Sequence, residues 1–549
     1  MNLDTLPAFV NHWAEETPDQ VWLRDLNSDG STDYTWGQAA QCINAVAAML
    51  EERFGQGANI ALLSENCAHW CMADLAVIAS GNVTVAMFTT LPRSTAEYIL
   101  DFTETKAIFV GQTSNWDAVS AVLPEGVAVF TLPGIELEQP HEKWEDLLTA
   151  GSGRTPNYQC KPDDLISLVF TSGTTGVPKG VMQTHSSNII PMRRADDMFK
   201  VEGIPRLFSY LPLAHIAERQ IVEFSSIIRC GEMSFSQSPA TLVADMRRTK
   251  PHVFFGAPRV WEQFQQAIIA KFGGRSALEK AMADDKEGIG KMIVDSLGLS
   301  EVVYCLTAAA PTPPALIQWY EDAGLKLMEG FGQTEAMGVI MTTEADRRIG
   351  SIGKPCAGVE YRLTQESELV IKAGGCTPGY YKMPEKTAEL IQNGWLHTGD
   401  KARVDDDGFL YITGRVKDYF KTIQGKYVAP PPIEGKFAVN THAEQQCLLG
   451  RGYSKTVMVV VLSAEAQTQD TSEVEAGILE TILEINSSIE KHARIGAVII
   501  DIEAWSIENE ILTPTLKIRR EKVEQRYGEK AESIARESAE QRAVLIHWH

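Results

Sequence analysis

Short apolar runs alternate with longer amphipathic stretches over much of the chain. The runs NIALLSE (59–65) and VTVAMF (83–88) have the length and composition of buried strands. The stretches at 69–81 and 94–106 instead repeat their apolar residues at helical spacing. The same order returns at 252–272, where HVFFGAP precedes VWEQFQQAIIAKF. Strands that alternate with helices predict an α/β architecture with mostly parallel strands.

The pattern changes after GRVKD (414–418). The remaining chain is shorter and more charged, and it ends in a polar stretch with helical spacing at 517–541. Because 549 residues are too many for one typical core, at least two domains are expected. We therefore predict an N-terminal domain over 1–415 and a C-terminal domain over 416–549.

Composition narrows the class of protein. The chain is 44% apolar and 22% charged, as in ordinary globular proteins, and 72 acidic against 50 basic residues give a formal charge of −22, which disfavours nucleic acid as a partner. No apolar run approaches the ~20 residues of a membrane-spanning helix, and the start, MNLDTLPAF, lacks a basic, apolar signal pattern. Nine scattered cysteines without C-x-x-C fit a reducing compartment. These features predict a cytoplasmic protein without a transmembrane segment.

A loop rich in glycine and hydroxyl residues follows the apolar run LISLVF (165–170). It reads TSGTTGVPKG, which offers backbone N–H groups, hydroxyls and one lysine, as a phosphate chain requires. It is not a Walker loop, because Pro178 stands where the second glycine belongs and Gly180 follows Lys179 instead of Ser or Thr. Taken alone, the loop is also compatible with an ordinary glycine-rich turn.

Four further stretches carry candidate chemistry. MEGFGQTEAMG (328–338) combines glycines, an aromatic ring and a carboxylate that suits Mg²⁺, and GWLHTGDKARVDDDGFLYITGRVKD (394–418) has the pattern of a β-hairpin. SYLPLAHIAER (209–219) places a histidine after an apolar run, and LTPTLKIRR (512–520) places a lysine before the last helix. The candidate side chains are Phe331, Thr334, Glu335, Asp400, Arg415, His215 and Lys517. Each one alone could equally be a packed or solvated residue.

The order and spacing of these stretches, from about residue 30 to 520, resemble the adenylate-forming superfamily of acyl-CoA synthetases, aryl-CoA ligases, firefly-type luciferases and peptide-synthetase adenylation domains. TSGTTGVPKG is similar to its phosphate loop, GFGQTE to its aromatic-Gly-x-Thr-Glu element, HTGD and GRVKD to its ribose and hinge motifs, and TPTLKIRR to its C-terminal lysine motif. The resemblance implies an α/β fold: a large N-terminal domain of two α/β halves plus a β-barrel, and a small mobile C-terminal α/β domain.

By this resemblance, the loop and one carboxylate are expected to bind the triphosphate of ATP with Mg²⁺. Thr171 and Glu335 are expected at the metal ion, and Thr334 at the α-phosphate. Thr174, Thr175 and Lys179 are expected at the phosphates that leave as pyrophosphate. The loop residues assigned to ATP are Thr171, Ser172, Gly173, Thr174, Thr175, Gly176 and Lys179.

A second set is expected to hold the rest of the nucleotide and the acceptor. Phe331 is expected to stack on adenine beside the backbone of 308–310, and Asp400 to bind the ribose. The full set implied by the resemblance is Ala309, Glu329, Gly330, Phe331, Thr334, Asp400, Arg415, Lys421 and Tyr427.

The resemblance also implies catalytic roles. Lys517 is expected to bridge the substrate carboxylate and the α-phosphate. Lys417 is expected to be the hinge of the C-terminal domain, and His215 to gate an acyl tunnel. With Glu335, Thr334 and Lys179, these residues form the expected catalytic set.

The implied reaction activates a carboxylic acid as acyl-AMP and transfers the acyl group to coenzyme A. YLPLAHIAER and FFGAPRVWEQF (254–264) are most similar to the long-chain fatty acyl-CoA synthetase branch. The chain departs from that branch at Gln333, where Met is usual, and at QGKYVAPPPIE (424–434), where Gly-Glu-Asn and a charged pair are commoner. A fatty-acyl–AMP ligase that loads a carrier protein, a ligase for aryl or other acids, a luciferase and an inactive binding member stay open as alternatives. Peripheral membrane contact and the oligomeric state stay open as well.

Overall fold

The computed structural model describes residues 3–171, 177–196, 200–507, 509–513 and 517–549. By its internal contacts the chain forms two compact units. The first comprises Met1–Ala309, Ala315–Glu360 and Ile371–Leu396, and the second comprises Ala310–Pro314, Tyr361–Val370 and His397–His549.

The strands of the described residues occur in the following order. Those up to residue 355 are β1 (Val21–Asn27), β2 (Gly30–Thr35), β3 (Asn59–Leu63), β4 (Val83–Met87), β5 (Ala107–Val110), β6 (Ala128–Thr131), β7 (Glu142–Lys143), β8 (Leu165–Thr171), β9 (Lys179–Thr184), β10 (Arg206–Ser209), β11 (Glu232–Phe235), β12 (Val253–Gly256), β13 (Tyr304–Thr307), β14 (Leu327–Gln333), β15 (Ala336–Met341) and β16 (Lys354–Pro355). The later strands are β17 (Val359–Leu363), β18 (Glu368–Ala373), β19 (Ile391–Gln392), β20 (Trp395–Val404), β21 (Leu410–Arg415), β22 (Phe420–Lys421), β23 (Tyr427–Val428), β24 (Ala443–Leu449), β25 (Thr456–Leu462), β26 (Ile495–Asp501) and β27 (Leu545–Trp548).

Helices connect most of these strands. They are α1 (Leu6–Glu16), α2 (Trp36–Phe54), α3 (Ala68–Ala79), α4 (Arg93–Thr103), α5 (Trp116–Ser120), α6 (Trp144–Gly151), α7 (His185–Asp196), α8 (Ile216–Glu218), α9 (Ser225–Ile228), α10 (Leu242–Thr249), α11 (Pro258–Lys271), α12 (Arg275–Asp284), α13 (Lys286–Ser296), α14 (Pro314–Asp322), α15 (Pro384–Leu390), α16 (Pro430–Phe437), α17 (Thr471–Ser488) and α18 (Arg520–Gln541). A π-helical turn (Arg219–Phe224) lies between α8 and α9, and a 3-10 turn (Ala466–Thr468) precedes α17.

Two large sheets organise the first unit. One has the order β7-β6-β5-β3-β4-β8-β9, and the other has the order β16-β15-β14-β13-β12-β10-β11-β1-β2. Strands β3 and β4 are buried along their whole length and pair in parallel, which explains why their sequences are continuous apolar runs. The expected α/β rhythm with mostly parallel strands is therefore confirmed.

Local sequence signals set the ends of helix α2. Thr35 and Gln38 form a capping box at its start, and Gly55, with φ of 68°, follows its last residue. The indole of Trp36, the first residue of α2, stacks on Trp22 of β1, with ring centroids 4.1 Å apart, and both side chains are fully buried. This contact joins the N-terminal helix–strand region to the core of the first unit.

A buried ionic group holds the π-helical turn in the first unit. The Arg219 guanidinium contacts Asp74 of α3, lies 3.1 Å from a Glu223 carboxylate oxygen and donates to the Ser167 hydroxyl at 2.7 Å. The side chains of all three charged residues are fully buried. This cluster ties α3, β8 and the π-helical turn together, and the amino-acid sequence gave no prediction of it.

The second unit contains a four-stranded sheet of order β24-β25-β26-β27 and the two-stranded sheet β22-β23. Strand β25 is buried throughout, and α18 packs against this sheet. The polar helix expected at 517–541 is present as α18, but β27 then adds in parallel to β26, a strand that the sequence analysis did not predict. A further sheet has the strand order β17-β18-β20-β19, with β21 paired to β20.

Among the described residues, every helix is too short or too polar to cross a bilayer.

Candidate active site

The loop between β8 and β9 is framed by two predicted site residues. The strands are antiparallel, and the Cα atoms of Thr171 and Lys179 are register partners, so these residues face each other at the base of the loop. The predicted phosphate-binding residues Ser172, Gly173, Thr174, Thr175 and Gly176 lie outside the described residues. The hairpin therefore brings a hydroxyl and an ammonium group to the two ends of the glycine-rich loop.

Thr334 and Glu335 form the tight turn between the antiparallel strands β14 and β15. The Cα atoms of Gln333 and Ala336 are register partners on either side of the turn. The Gln183 side-chain amide of β9 donates to the Thr334 carbonyl at 2.8 Å. The predicted α-phosphate residue is thereby connected to the strand that begins with Lys179.

A third segment, residues 376–381, lies against both hairpins. The Thr377 N–H donates to the Glu335 carbonyl at 2.8 Å, and the Tyr381 N–H donates to the Gly180 carbonyl at 2.9 Å. Isolated bridges pair Cys376 with Ala336 and Tyr380 with Val181. This segment fixes the turn that carries Glu335 relative to strand β9.

The Tyr380 side chain contacts both charged residues of this region. Its hydroxyl donates to Glu335 Oε1 at 2.7 Å, and Lys179 Nζ lies 4.8 Å from its ring centroid. Tyr380 is nearly buried, with 7% of its surface exposed. The sequence analysis missed this residue, since the local pattern GYYKMP shows no distinctive motif.

The donor set of this region fits a magnesium ion. Thr171 and Glu335 supply a hydroxyl and a carboxylate, which are hard oxygen ligands, and Mg²⁺ usually takes only one or two protein ligands beside substrate phosphates and water. Within the described part of the chain, no three His, Cys, Asp or Glu side chains form a metal-binding group. A magnesium ion held here would therefore need oxygens from the substrate, as ATP would provide.

The predicted adenine-binding stretch runs through β14. Phe331 is half-buried, and its Cα is a register partner of Ile340. The Glu329 carboxylate is buried, accepts from the Gly350 N–H at 3.1 Å, and burial raises its pKa to about 8. Burial in the interior of the first unit thus disfavours the charged form of the Glu329 carboxylate.

Ala309 follows strand β13 with a positive φ of 73°. This left-handed backbone is uncommon for a residue with a Cβ and fixes an unusual direction of the chain at the predicted adenine-contacting segment.

His215 caps a short helix of the first unit. Its Nδ1 accepts from the Ala217 N–H at 3.2 Å, at the start of α8. Glu218, three residues later, is fully buried and accepts from the Tyr210 N–H at 2.9 Å. Burial raises the pKa of Glu218 to about 8. This hydrogen bond gives His215 a structural role as a helix cap. Its role as a gate of an acyl tunnel stays a prediction.

In the second unit, Asp400 and Arg415 lie opposite each other in the β20–β21 hairpin, which confirms the predicted hairpin. Their Cα atoms are register partners, and Arg415 Nε is 2.9 Å from Asp400 Oδ1. The aspartate side chain is 6% exposed and the arginine side chain 48% exposed. The carboxylate of this ion pair is therefore buried, whereas its arginine is partly exposed to solvent.

Lys421 and Tyr427 are brought together by the β22–β23 pair of the second unit. Their Cα atoms are register partners, and Lys421 Nζ lies 4.8 Å from the Tyr427 ring centroid. Lys401 Nζ lies 4.5 Å from the ring of Tyr419 and 6.0 Å from that of Tyr427. Two lysines and two tyrosines thus form a positively charged surface on this unit.

The two remaining predicted lysines, Lys417 and Lys517, lie next to a strand and a helix of the second unit. Lys417 follows β21, and its carbonyl accepts from the Arg451 guanidinium at 3.5 Å. Lys517 is exposed ahead of α18, and its N–H donates to the Thr513 hydroxyl at 3.0 Å while its carbonyl accepts from the Thr513 N–H at 2.8 Å.

Comparison with solved structures identifies the fold. The adenylation domain of a carboxylate reductase from Mycobacterium chelonae superimposes with a TM-score of 0.83 at 20% identity, covering 97% of this chain and 91% of that one. An anthranilate CoA ligase in complex with anthranoyl-AMP gives a TM-score of 0.80 at 20% identity, covering 96% and 98%. The predicted fold class, a large N-terminal and a smaller C-terminal α/β domain, is confirmed.

Sequence comparison finds relatives along the whole chain. A long-chain-fatty-acid–CoA ligase of Mycobacterium bovis is 27% identical over 587 aligned positions, covering 97% of both proteins. A fatty acyl-CoA synthetase of Dictyostelium discoideum is 26% identical, covering 92% of this chain and 86% of that protein.

Family models describe the two parts of the sequence. Residues 10–381 match the model of the AMP-binding enzyme, and residues 417–538 match that of the AMP-binding enzyme C-terminal domain. Because the first model covers most of the chain and the second continues it, this protein belongs to the AMP-binding enzymes, the adenylate-forming superfamily that its motifs resemble.

Proposed function

We propose that this protein is an ATP-dependent acid–thiol ligase that activates a fatty acid and transfers its acyl group to coenzyme A. In the first step the acid carboxylate attacks the α-phosphorus of ATP, so that acyl-AMP forms and pyrophosphate leaves. In the second step the thiol of coenzyme A attacks the acyl carbonyl, so that the thioester forms and AMP leaves.

The observation that carries this proposal is the arrangement around the glycine-rich loop. Thr171 and Lys179 face each other at its base, and Glu335 and Lys179 contact the same tyrosine. A cation and a carboxylate fixed beside a loop of glycines and hydroxyls suit a metal-bound triphosphate. We assign the leaving pyrophosphate to this loop.

Charge explains why such an arrangement is needed. A carboxylate and a phosphate brought to about 4 Å repel by about 4 kcal/mol at an effective dielectric constant of ~20. Lys179 supplies positive charge on the side of the leaving group, and Lys517 is proposed to supply it on the side of the attacking carboxylate. Mg²⁺, when bound, would offset charge on the departing phosphates.

The remaining site residues are assigned to the other parts of ATP and to coenzyme A. We propose that Phe331 stacks on adenine near Ala309, Glu329 and Gly330, and that Thr334 contacts the α-phosphate. Asp400 and Arg415 are assigned to the ribose, and Lys421 and Tyr427 to ATP or coenzyme A.

We also propose two domains, 1–415 and 416–549, with Lys417 as the hinge between them. A single site must admit Lys517 for the first step and the thiol for the second, which a rotating domain would allow.

We propose that the protein is cytoplasmic. All nine cysteines are free thiols, as is usual in a reducing compartment.

The relatives favour a fatty acid, since one of them is named for a long-chain fatty acid and another for a fatty acyl group. A ligase that loads a carrier protein would instead form acyl-AMP without giving a product from coenzyme A. A ligase for aryl acids would prefer a ring-bearing acid, as the fold relative named for anthranilate does. Retention of Lys179, Glu335, Asp400, Arg415 and Lys517 argues against an inactive member.

Acid-dependent exchange of labelled pyrophosphate into ATP tests the first step. Palmitate, octanoate, benzoate and anthranilate would be compared, and thioester formation would then be measured with and without coenzyme A. We expect palmitate to give the fastest pyrophosphate exchange and the fastest thioester formation of the four acids. Exchange without a coenzyme A product would indicate a carrier-protein ligase, and no exchange with any acid would overturn the proposal.

A further inference from the structure

We infer that Tyr380 is a positioning residue for adenylation: its phenol holds the Glu335 carboxylate and the Lys179 ammonium in place for the magnesium-bound triphosphate. The inference deepens the proposed function and rests on it. Both contacts lie within the first unit, between its two hairpins, and each joins a different charged group to the same neutral side chain.

The backbone around Tyr380 is held on both sides. Its own N–H donates to the Thr387 hydroxyl at 2.9 Å, and the Gly379 carbonyl before it accepts from the Met182 N–H at 3.0 Å. Gly379 has φ of 136°, and a Cβ there would lie 2.3 Å from a Thr387 side-chain carbon. The phenol is therefore presented from a rigid support that strand β9 and α15 define.

Two opposite charges next to one metal-binding site create a conflict. An ion pair between the Glu335 carboxylate and the Lys179 ammonium would make each group less available to the substrate. The Tyr380 hydroxyl instead donates to Oε1 of the carboxylate, while the ring face stabilises the ammonium. A hydrogen bond from outside the metal site thus fixes the direction of a metal ligand.

The next residue provides a matched control. The Tyr381 hydroxyl accepts from the Asn59 side chain at 3.1 Å, and its ring packs edge-on against Phe102 at 6.1 Å. Tyr381→Phe therefore removes one hydroxyl from the same segment without touching Glu335 or Lys179. Tyr380→Phe removes the hydroxyl but keeps the ring under the ammonium.

The first measurement does not depend on turnover. Binding of Mn²⁺, as a magnesium substitute, would be followed by electron paramagnetic resonance in the presence of α,β-methylene-ATP. We expect Tyr380→Phe to weaken Mn²⁺ binding about tenfold, as for loss of one hydrogen bond to a charged group, and Tyr381→Phe to change it less than twofold. Binding by Tyr380→Phe equal to that of the wild-type protein would overturn the inference.

The second measurement separates the two half-reactions. Tyr380→Phe should lower pyrophosphate exchange about tenfold and raise the Mg²⁺ concentration for half-maximal exchange. It should leave thioester formation from supplied acyl-AMP and coenzyme A within twofold. Equal loss of both half-reactions would show a general structural role and contradict the inference. An inactive wild-type protein would overturn the proposed function instead, while the Mn²⁺ measurement would still decide the role of Tyr380.

Discussion

Asp400 and Arg415 are paired both in backbone register and through their side chains, with Nε 2.9 Å from Oδ1. The arginine pairs with a nearly buried carboxylate and directs it across the hairpin. If Asp400 binds the ribose hydroxyls, as proposed, its negative charge is what makes it a strong acceptor.

Asp400→Asn should raise the KM for ATP about tenfold, because a neutral amide is a weaker acceptor for ribose hydroxyls than a carboxylate. The change in kcat should be smaller. Steady-state kinetics with varied ATP would measure both. Arg403→Lys is the control on the same hairpin, since Arg403 stacks on Tyr411 3.7 Å away. An unchanged KM in Asp400→Asn would remove the residue from the nucleotide site.

Glu335→Ala should lower pyrophosphate exchange by a factor on the order of a hundred and weaken its dependence on Mg²⁺, because the proposed metal carboxylate is lost. Titration of exchange activity with Mg²⁺ would measure this effect. Glu344→Ala should change neither, since Glu344 makes an exposed ion pair with Lys326. A normal Mg²⁺ titration in Glu335→Ala would contradict the assignment.

Lys517→Ala and Lys417→Pro should fail in different half-reactions. Removal of the Lys517 charge should abolish exchange but leave conversion of supplied acyl-AMP to thioester. Proline at 417 fixes φ near −65°, so it should hinder rotation, preserve exchange and reduce thioester formation at least tenfold. Lys417→Ala separates loss of the side chain from loss of rotation. Loss of the same half-reaction in Lys517→Ala and Lys417→Pro would disprove alternation.

Arg219→Met should destabilise the first unit by on the order of 3–5 kcal/mol, because two buried carboxylates would lose their cation. Urea unfolding would measure the change. Lys286→Met removes an exposed partner of Asp322 and should change the free energy of unfolding by less than about 0.5 kcal/mol. Similar values for the two variants would mean that the buried group contributes little.

Glu218→Gln should stabilise the protein at pH 8 and leave it nearly unchanged at pH 5. The folded-state pKa of Glu218 is raised to about 8, so between its ordinary value and pH 8 the unfolded chain releases a proton that the folded chain retains. Stability is therefore lost as pH rises through this window, and the glutamine variant avoids that loss. We expect a difference on the order of 4 kcal/mol at pH 8, because the pKa is raised from its ordinary value of 4.5 to about 8 and one pKa unit is worth about 1.4 kcal/mol.

Urea unfolding at the two pH values would measure the effect of Glu218→Gln. Glu145→Gln, on an exposed face of α6, is the comparison variant. A wild-type advantage at pH 8 would mean that Glu218 is ionised and usefully bonded in the folded protein.

The sequence was most informative where local patterns are strong. Apolar runs located β3 and β4, and a polar turn between two alternating stretches located the β20–β21 hairpin with Asp400 opposite Arg415. These features depend on neighbouring residues and on one hairpin register, so periodicity and turn chemistry can predict them.

Contacts between distant segments were beyond such patterns. Tyr380 meets Glu335 and Lys179 only because residues 376–381 return to two hairpins that come much earlier in the chain. Arg219 and Asp74 are likewise 145 positions apart. The local sequence around each residue does not predict that the two side chains are buried together. Long-range packing, not local propensity, decides these positions.

The stacked indoles of Trp22 and Trp36 give the first unit an optical label of its own. Two parallel rings 4.1 Å apart, at an interplanar angle of 5°, couple their electronic transitions, so the pair should contribute an exciton couplet to the circular dichroism spectrum. Loss of that couplet would report melting of the first unit, because both indoles lie in that unit.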